Sequence, residues 1–266
     1  MKNQFIQTTS ALILPISFMG ILFLLSAVSI GLPDKYELGG VMVTGIALFM
    51  TFLVLRKDKK TFKDIGYFWE RKTPIRFAYG FLIGIVITGF MLFLLVNFSN
   101  LQFRQKTNPN ILSAVLWLLA FFPLALMEEI IFRGYAFIKI NENVGLWPAQ
   151  ILLALLFAWY HDFTGLTFFN QLLGPGIWAL IYGIAAVWSK GLALPTGIHM
   201  AINVVLALFG QKDDRHAIWN LAYDTEITPI LHEQTENVGL VMQMVILLIG
   251  IILTECYRRK MIKTRS

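Results

Sequence analysis

The chain has 266 residues, of which 57% are hydrophobic and only 14% charged, and its mean hydropathy is +0.66. A soluble domain of this length carries about a quarter charged residues. Here the apolar content is parcelled into blocks of about twenty residues, the length of a bilayer-crossing helix, which excludes one large soluble core.

The net charge of +6 does not indicate nucleic acid, because the basic residues gather beside apolar segments and not on one amphipathic face. Their expected partners are the anionic headgroups of membrane lipids. The single cysteine, Cys256, excludes an intramolecular disulfide and a cysteine-ligated metal cluster.

In chain order the apolar pattern predicts spans at 9–31, 40–55, 76–98, 111–135, 146–163, 171–189, 191–210 and 237–257. The first follows Lys2, but it is long for a signal peptide and further spans follow it. The second is short and the fourth long. Gly, Pro or polar residues interrupt the fifth to seventh, which predicts tilted or broken helices.

Charge supports the count. Arg56, Lys57, Lys59, Lys60, Lys63, Arg71, Lys72 and Arg76 lie between spans two and three, and Arg258, Arg259, Lys260, Lys263 and Arg265 lie in the tail. Asp213, Asp214, Asp224, Glu226, Glu233 and Glu236 lie between spans seven and eight. The excess of positive charge on inner loops puts the two basic regions, and both termini, in the cytoplasm. The expectation is an all-α polytopic protein of the cell membrane with about eight transmembrane helices. It is read as one integral domain over 1–266 with a motif-bearing core at 111–210. The outer stretch 211–236 is expected as a short helix or hairpin at the membrane surface.

Ionisable side chains are expensive inside a bilayer and usually face a protein interior or a water-filled cavity. Three patterns place them there. In Glu128-Glu129-Ile130-Ile131-Phe132-Arg133-Gly134, Glu129 and Arg133 share a helix face, whereas Glu128 points about 100° away. Glu129 is thus expected to pair with Arg133, leaving Glu128 to act on a ligand or water; the bland alternative is a solvated ion pair at a helix end. In Phe157-Ala158-Trp159-Tyr160-His161, the alternative is an interfacial histidine beside two aromatics that favour that depth. In His199-Met200-Ala201-Ile202-Asn203 the imidazole and carboxamide share a face, and the alternative is interhelical hydrogen bonding that fixes packing. Small residues from Gly191 to Gly197 permit close helix approach.

Converging in a cavity, a carboxylate, two imidazoles and an amide supply a base for water, groups to hold it, and donors for a tetrahedral oxyanion. That is the set peptide hydrolysis needs, with no Ser or Cys nucleophile required. With span four ending at 135, however, Glu128 and His161 would differ in depth by about 10 Å or more.

The ordered set Glu-Glu-x-x-x-Arg, Phe-x-x-x-His and His-x-x-x-Asn resembles the CPBP family of intramembrane proteases, the CAAX proteases and bacteriocin-processing proteins also called the ABI family. Glu128 through Tyr135 is similar to the family's first motif, and Gly183 through Leu192, Pro195, His199 and Asn203 to its third. The resemblance covers about residues 111–210. It implies an eight-helix intramembrane endopeptidase acting on a membrane-associated peptide or protein. Glu128 would be the water-activating base, His161 would position that water or a metal, and His199 and Asn203 would be oxyanion donors. Glu129 and Arg133 would support them.

Zinc on Glu128, His161 and His199 is chemically reasonable. His-Glu-x-x-His is absent and Asn is a poor zinc ligand, so a metal-independent, glutamate-driven mechanism stands equally. Two other classes remain open at this stage: a non-catalytic bacteriocin-immunity or partner-regulating membrane protein, and a transporter. Against the transporter, the polar residues cluster in spans four, five and seven without inverted repeats.

Overall fold

The structure is a computed structural model that describes residues 2–28, 36–164, 167–212, 214–223 and 228–264. Residues 29–31 of the first expected span, and Asp213, Asp224, Glu226 and Arg265, lie outside the described residues.

Eight helical rods follow one another. They are α1 (Lys2–Val28), α2 (Tyr36–Lys57), α3 (Thr73–Phe98), α4 (Ile111–Glu129) continuing into α5 (Ala136–Val144), α6 (Leu146–Tyr160), α7 (Phe168–Gln171) continuing into α8 (Ile177–Ser189), α9 (Ala193–Leu208) and α10 (Pro229–Lys263). Six of the rods are long and apolar enough to cross a membrane, while α6 and α9 are shorter apolar helices. The chain is a polytopic helical membrane protein.

The fourth rod corrects the expected end at 135. A wider π-helical segment, Ile130–Tyr135, joins α4 to α5, and Gly134 (φ −75°, ψ −115°) makes the kink. The rod therefore runs on to Val144, where Gly145, with φ +94°, turns the chain into α6. This removes the depth conflict. Glu128 lies sixteen residues before Val144 and His161 fifteen after Leu146. At about 1.5 Å per residue both stand roughly 23 Å from the turn.

Helices α3 and α9 meet backbone to backbone. A Cβ on Gly80 would stand 2.2 Å from the Leu194 carbonyl oxygen, and one on Gly197 would stand 2.3 Å from that of Phe77. Within a bilayer, small residues of this kind replace the hydrophobic effect as the means of helix association. The expected use of Gly197 for close approach is met here.

On the face with the basic loop, Leu192 N–H donates to the Gly66 carbonyl at 3.2 Å, tying the α2–α3 connection to the α8–α9 turn. The same connection is fixed to α5: Asp58 accepts from Tyr135 at 2.6 Å and from Lys139, and Lys60 pairs with Glu142 at 3.1 Å. Burial opposes the Asp58 charge, but the hydrogen bonds from Lys139 and Tyr135 outweigh it and hold the carboxyl below its usual range.

At the other end of the bundle, β1 (Leu101–Gln105) pairs antiparallel with β2 (Trp219–Tyr223), Leu101 opposite Tyr223. The expected hairpin within 211–236 is instead one strand of a ribbon whose partner precedes α4, so the all-α expectation holds except for these two strands. Phe103 and Trp219 pack on Phe209 at the end of α9, with ring centroids 4.7 and 5.5 Å away.

Candidate active site

The centre is built where α4 passes into the π segment, opposite α9 and the end of α6. Glu129 is completely buried. Its Oε1 accepts from Nδ1–H of His199 at 2.9 Å, and its Oε2 lies 3.6 Å from Arg133 Nε. Arg133 is also buried, with no hydrogen-bond partner for either terminal nitrogen among the described residues. Its guanidinium lies over the Phe157 ring at 4.1 Å and near that of Tyr182 at 5.0 Å. A buried cation needs such compensation, and an aromatic face supplies it when hydrogen-bond partners are few.

Glu128, one residue earlier, turns to a different side, as the helical angle requires. Its side chain is 13% exposed, and its Oε2 lies 3.5 Å from Nε2 of His199. That oxygen is buried and makes no hydrogen bond among the described residues. His199 is thus held on Nδ1 by one carboxylate and faces the second with Nε2. The ring is kept in plane by Tyr182, stacked on it at 4.5 Å and 14°.

His161 follows the last residue of α6, where the helix tightens into the 3-10 turn His161–Thr164. Its Nδ1–H donates to the Phe157 carbonyl at 2.8 Å, which fixes the tautomer, since a carbonyl can only accept. The ring packs edge-on against Phe157 (4.7 Å) and Tyr160 (5.1 Å), and Glu128 and His199 are within electrostatic reach. Asn203, one turn beyond His199 on α9, is half-buried and makes no hydrogen bond to the other members among the described residues. Glu128, Glu129, Arg133, His199 and His161 are therefore gathered at one depth, and Asn203 stands beside them on the helix that carries His199.

Three features had no counterpart in the sequence reading. Tyr160, taken there as an interfacial ring like Trp159, packs its ring against Phe132, Phe157 and His161, whereas Trp159 is 54% exposed. Tyr182 carries no motif signal at all. Ser113, on the first turn of α4, lies 2.8 Å from Nδ1 of His216, whose ring stacks on Trp117, so one serine does have a histidine partner. From the same outer connection Lys212 acts electrostatically on Glu128 and His161.

Zinc does not fit the centre as it is arranged. Among the described residues no three His, Cys, Asp or Glu side chains form a group that could hold a metal. No step below is therefore derived through a metal.

Fold and site together define a polytopic helical membrane protein with a carboxylate–imidazole centre buried within the bundle. Residues 109–205, from just before α4 to near the end of α9, match the family model described as Rce1-like: Type II CAAX prenyl endopeptidase Rce1-like. The motif-bearing part of the chain is thus similar to the CAAX-type endopeptidases over 109–205. Neither the curated proteins nor the solved structures give a match.

Proposed function

We propose that the chain is an intramembrane endopeptidase that hydrolyses a peptide bond of a membrane-associated protein or peptide, with water activated by Glu128. The observation that carries this reading is the pair of adjacent carboxylates with opposite assignments. Glu129 is completely buried, hydrogen-bonded to His199 through Oε1 and paired with Arg133 at 3.6 Å, whereas the Glu128 side chain is 13% exposed and its Oε2 lies 3.5 Å from the other nitrogen of the same imidazole.

In this mechanism Oε2 of Glu128 takes one proton from water as the water oxygen bonds to the scissile carbonyl carbon. His161 holds that water. The resulting oxyanion accepts from the Asn203 carboxamide and, when the ring carries a proton on both nitrogens, from Nε2–H of His199, both fixed on α9 before reaction. The C–N bond then breaks as Glu128 returns the proton to the leaving amine. Glu129 and Arg133 act through His199 by fixing its orientation.

The basic clusters at 56–76 and 258–265 support a cell-membrane location with both termini in the cytoplasm. Comparative peptidomics of membranes carrying wild-type or Glu128→Gln protein tests the reading. Fragments that depend on Glu128 are expected, and identical peptide profiles would exclude the activity.

A further inference from the structure

We propose that the apolar cavity beneath the α2–α3 connection binds one anionic phospholipid, with an acyl chain inside and the phosphate held at the rim by Arg71, Lys72 and Arg76. The site does not depend on the hydrolytic reading of Glu128.

The cavity has a volume of about 490 Å³, within the range of sites that enclose a small molecule. It is walled by residues 66–69 of the connection, by Pro74 and Phe77 at the start of α3, by Phe122 and Leu126 on α4, and by Ala193 and Thr196 on α9. The polar groups of these walls are largely spent on one another. Thr196 donates its hydroxyl to the Leu192 carbonyl at 2.7 Å, and the Thr73 hydroxyl accepts from Glu70 N–H at 2.9 Å. The Gly66 carbonyl accepts from Leu192 N–H at 3.2 Å, and Gly191 N–H donates to the Ala186 carbonyl at 3.1 Å. A sugar or peptide inside would leave its own polar groups unpaired, which is costly. A hydrocarbon chain has none to pair.

Position and charge select the rest of the ligand. The cavity extends from the lipid-facing side, where Phe122 is exposed, to the basic connection, where Tyr67 and an 80% exposed Trp69 line it. Tyr and Trp favour the depth of lipid headgroups. At that end Arg76 forms an ion pair with Glu70. Arg71 and Lys72, on the exposed turn between the lining residues Trp69 and Thr73, form no ion pair among the described residues. Two positive charges thus stand uncompensated at the mouth of an apolar cavity, the arrangement that a phosphate above an acyl chain complements. Basic loops mark the cytoplasmic face, whose leaflet carries the anionic lipids. The walls also lead to the centre: Leu126 precedes Glu129 by three residues and Thr196 precedes His199 by three. A bound chain therefore braces the two helices that carry the carboxylates and His199.

The test titrates the protein, purified in an uncharged maltoside detergent, with phosphatidylglycerol or with phosphatidylcholine of the same chains. Phosphatidylglycerol is expected to raise the thermal midpoint, with one molecule retained per chain in native mass spectra, and phosphatidylcholine to do neither. Arg71→Gln combined with Lys72→Gln should weaken the apparent affinity about 25-fold, about fivefold for each basic residue near an anionic headgroup. Because both side chains are exposed, the lipid-free midpoint should not change. Ala193→Phe, which fills the cavity from α9, should abolish retention. Dihexanoyl phosphatidylglycerol and inorganic phosphate, which bring the charge without a long chain, should not move the midpoint. Equal shifts with the two long-chain lipids overturn the proposal, as does wild-type affinity in the Arg71 and Lys72 double variant. A shift with the short-chain lipid or phosphate as large as that with the long-chain lipid overturns the placing of a chain in the cavity. That comparison decides the point by itself if Ala193→Phe does not fold.

Discussion

The long helices and the short ones obey different rules. α3 has 26 residues, with only 17% of its most apolar stretch buried inside the protein, and it turns Leu82, Val86, Phe90 and Phe93 outward. Its sequence satisfies the lipid, and any apolar side chain does so almost equally well. α9 has 16 residues and α6 has 15, too short to span comfortably. Both are lined by buried small residues, and both carry a histidine, His199 within α9 and His161 just past the end of α6. A helix that ends inside the bundle can deliver a side chain from its last turn to mid-depth, which a full span cannot. Helix length therefore separates lipid-facing α3 from the two rods that deliver the histidines, while the carboxylates come from the long fourth rod, Ile111–Val144, at its π segment.

The sharpest way to break this contrast lies within α3 itself. Gly84 touches α9, where a Cβ would stand 2.6 Å from the Ala201 Cβ, whereas Gly89 has nothing within 4 Å. Gly84→Leu is expected to cost about 3 kcal/mol or more, the range of forced overpacking against backbone. Gly89→Leu is expected to be near neutral. Thermal unfolding in detergent, followed by size exclusion, reads both, and equal effects would erase the distinction between the two faces.

Next in size is Arg133→Met. It leaves Glu129 buried beside His199 without its cation, a loss of about 3–5 kcal/mol for one half of a buried pair. Val86→Ala on the lipid face should change stability by less than about 0.5 kcal/mol.

The smallest effect belongs to the loop contacts outside the bilayer. Asp58 has a depressed folded-state pKa, so its stabilising contribution is present above the ordinary carboxylate value near 3.8 and is lost as pH falls through the lower folded value. Asp58→Asn should lower the thermal midpoint in the pH range above that value and flatten the acid-side decline.

Much of this was legible in the sequence, and the exceptions have physical causes. Spans two and three were expected at 40–55 and 76–98 and occur as Tyr36–Lys57 and Thr73–Phe98. The division between Glu128 and Glu129 followed from 100° per residue alone. The end of span four was misjudged because Lys139, Asn141, Glu142 and Asn143 make α5 look like a loop, while its inner face, Ala136, Phe137 and Ile140, packs into the core. The ribbon was half seen: β1 is five residues long and its partner lies beyond four intervening rods, a pairing that local periodicity cannot reveal. Tyr160 was misread because an interfacial tyrosine and one packed within the bundle have the same sequence signature. Only the packing of Phe132 and Phe157 tells them apart.

The central claim is that Glu128, not Glu129, is the base. Purified wild-type and Glu128→Gln proteins, reconstituted in liposomes with a peptide found by the comparative screen, test it most directly. The account predicts a fall in cleavage of about 10²- to 10⁴-fold, the usual contribution of a general base, with an unchanged thermal midpoint. Cleavage by Glu128→Gln at the wild-type rate would contradict it.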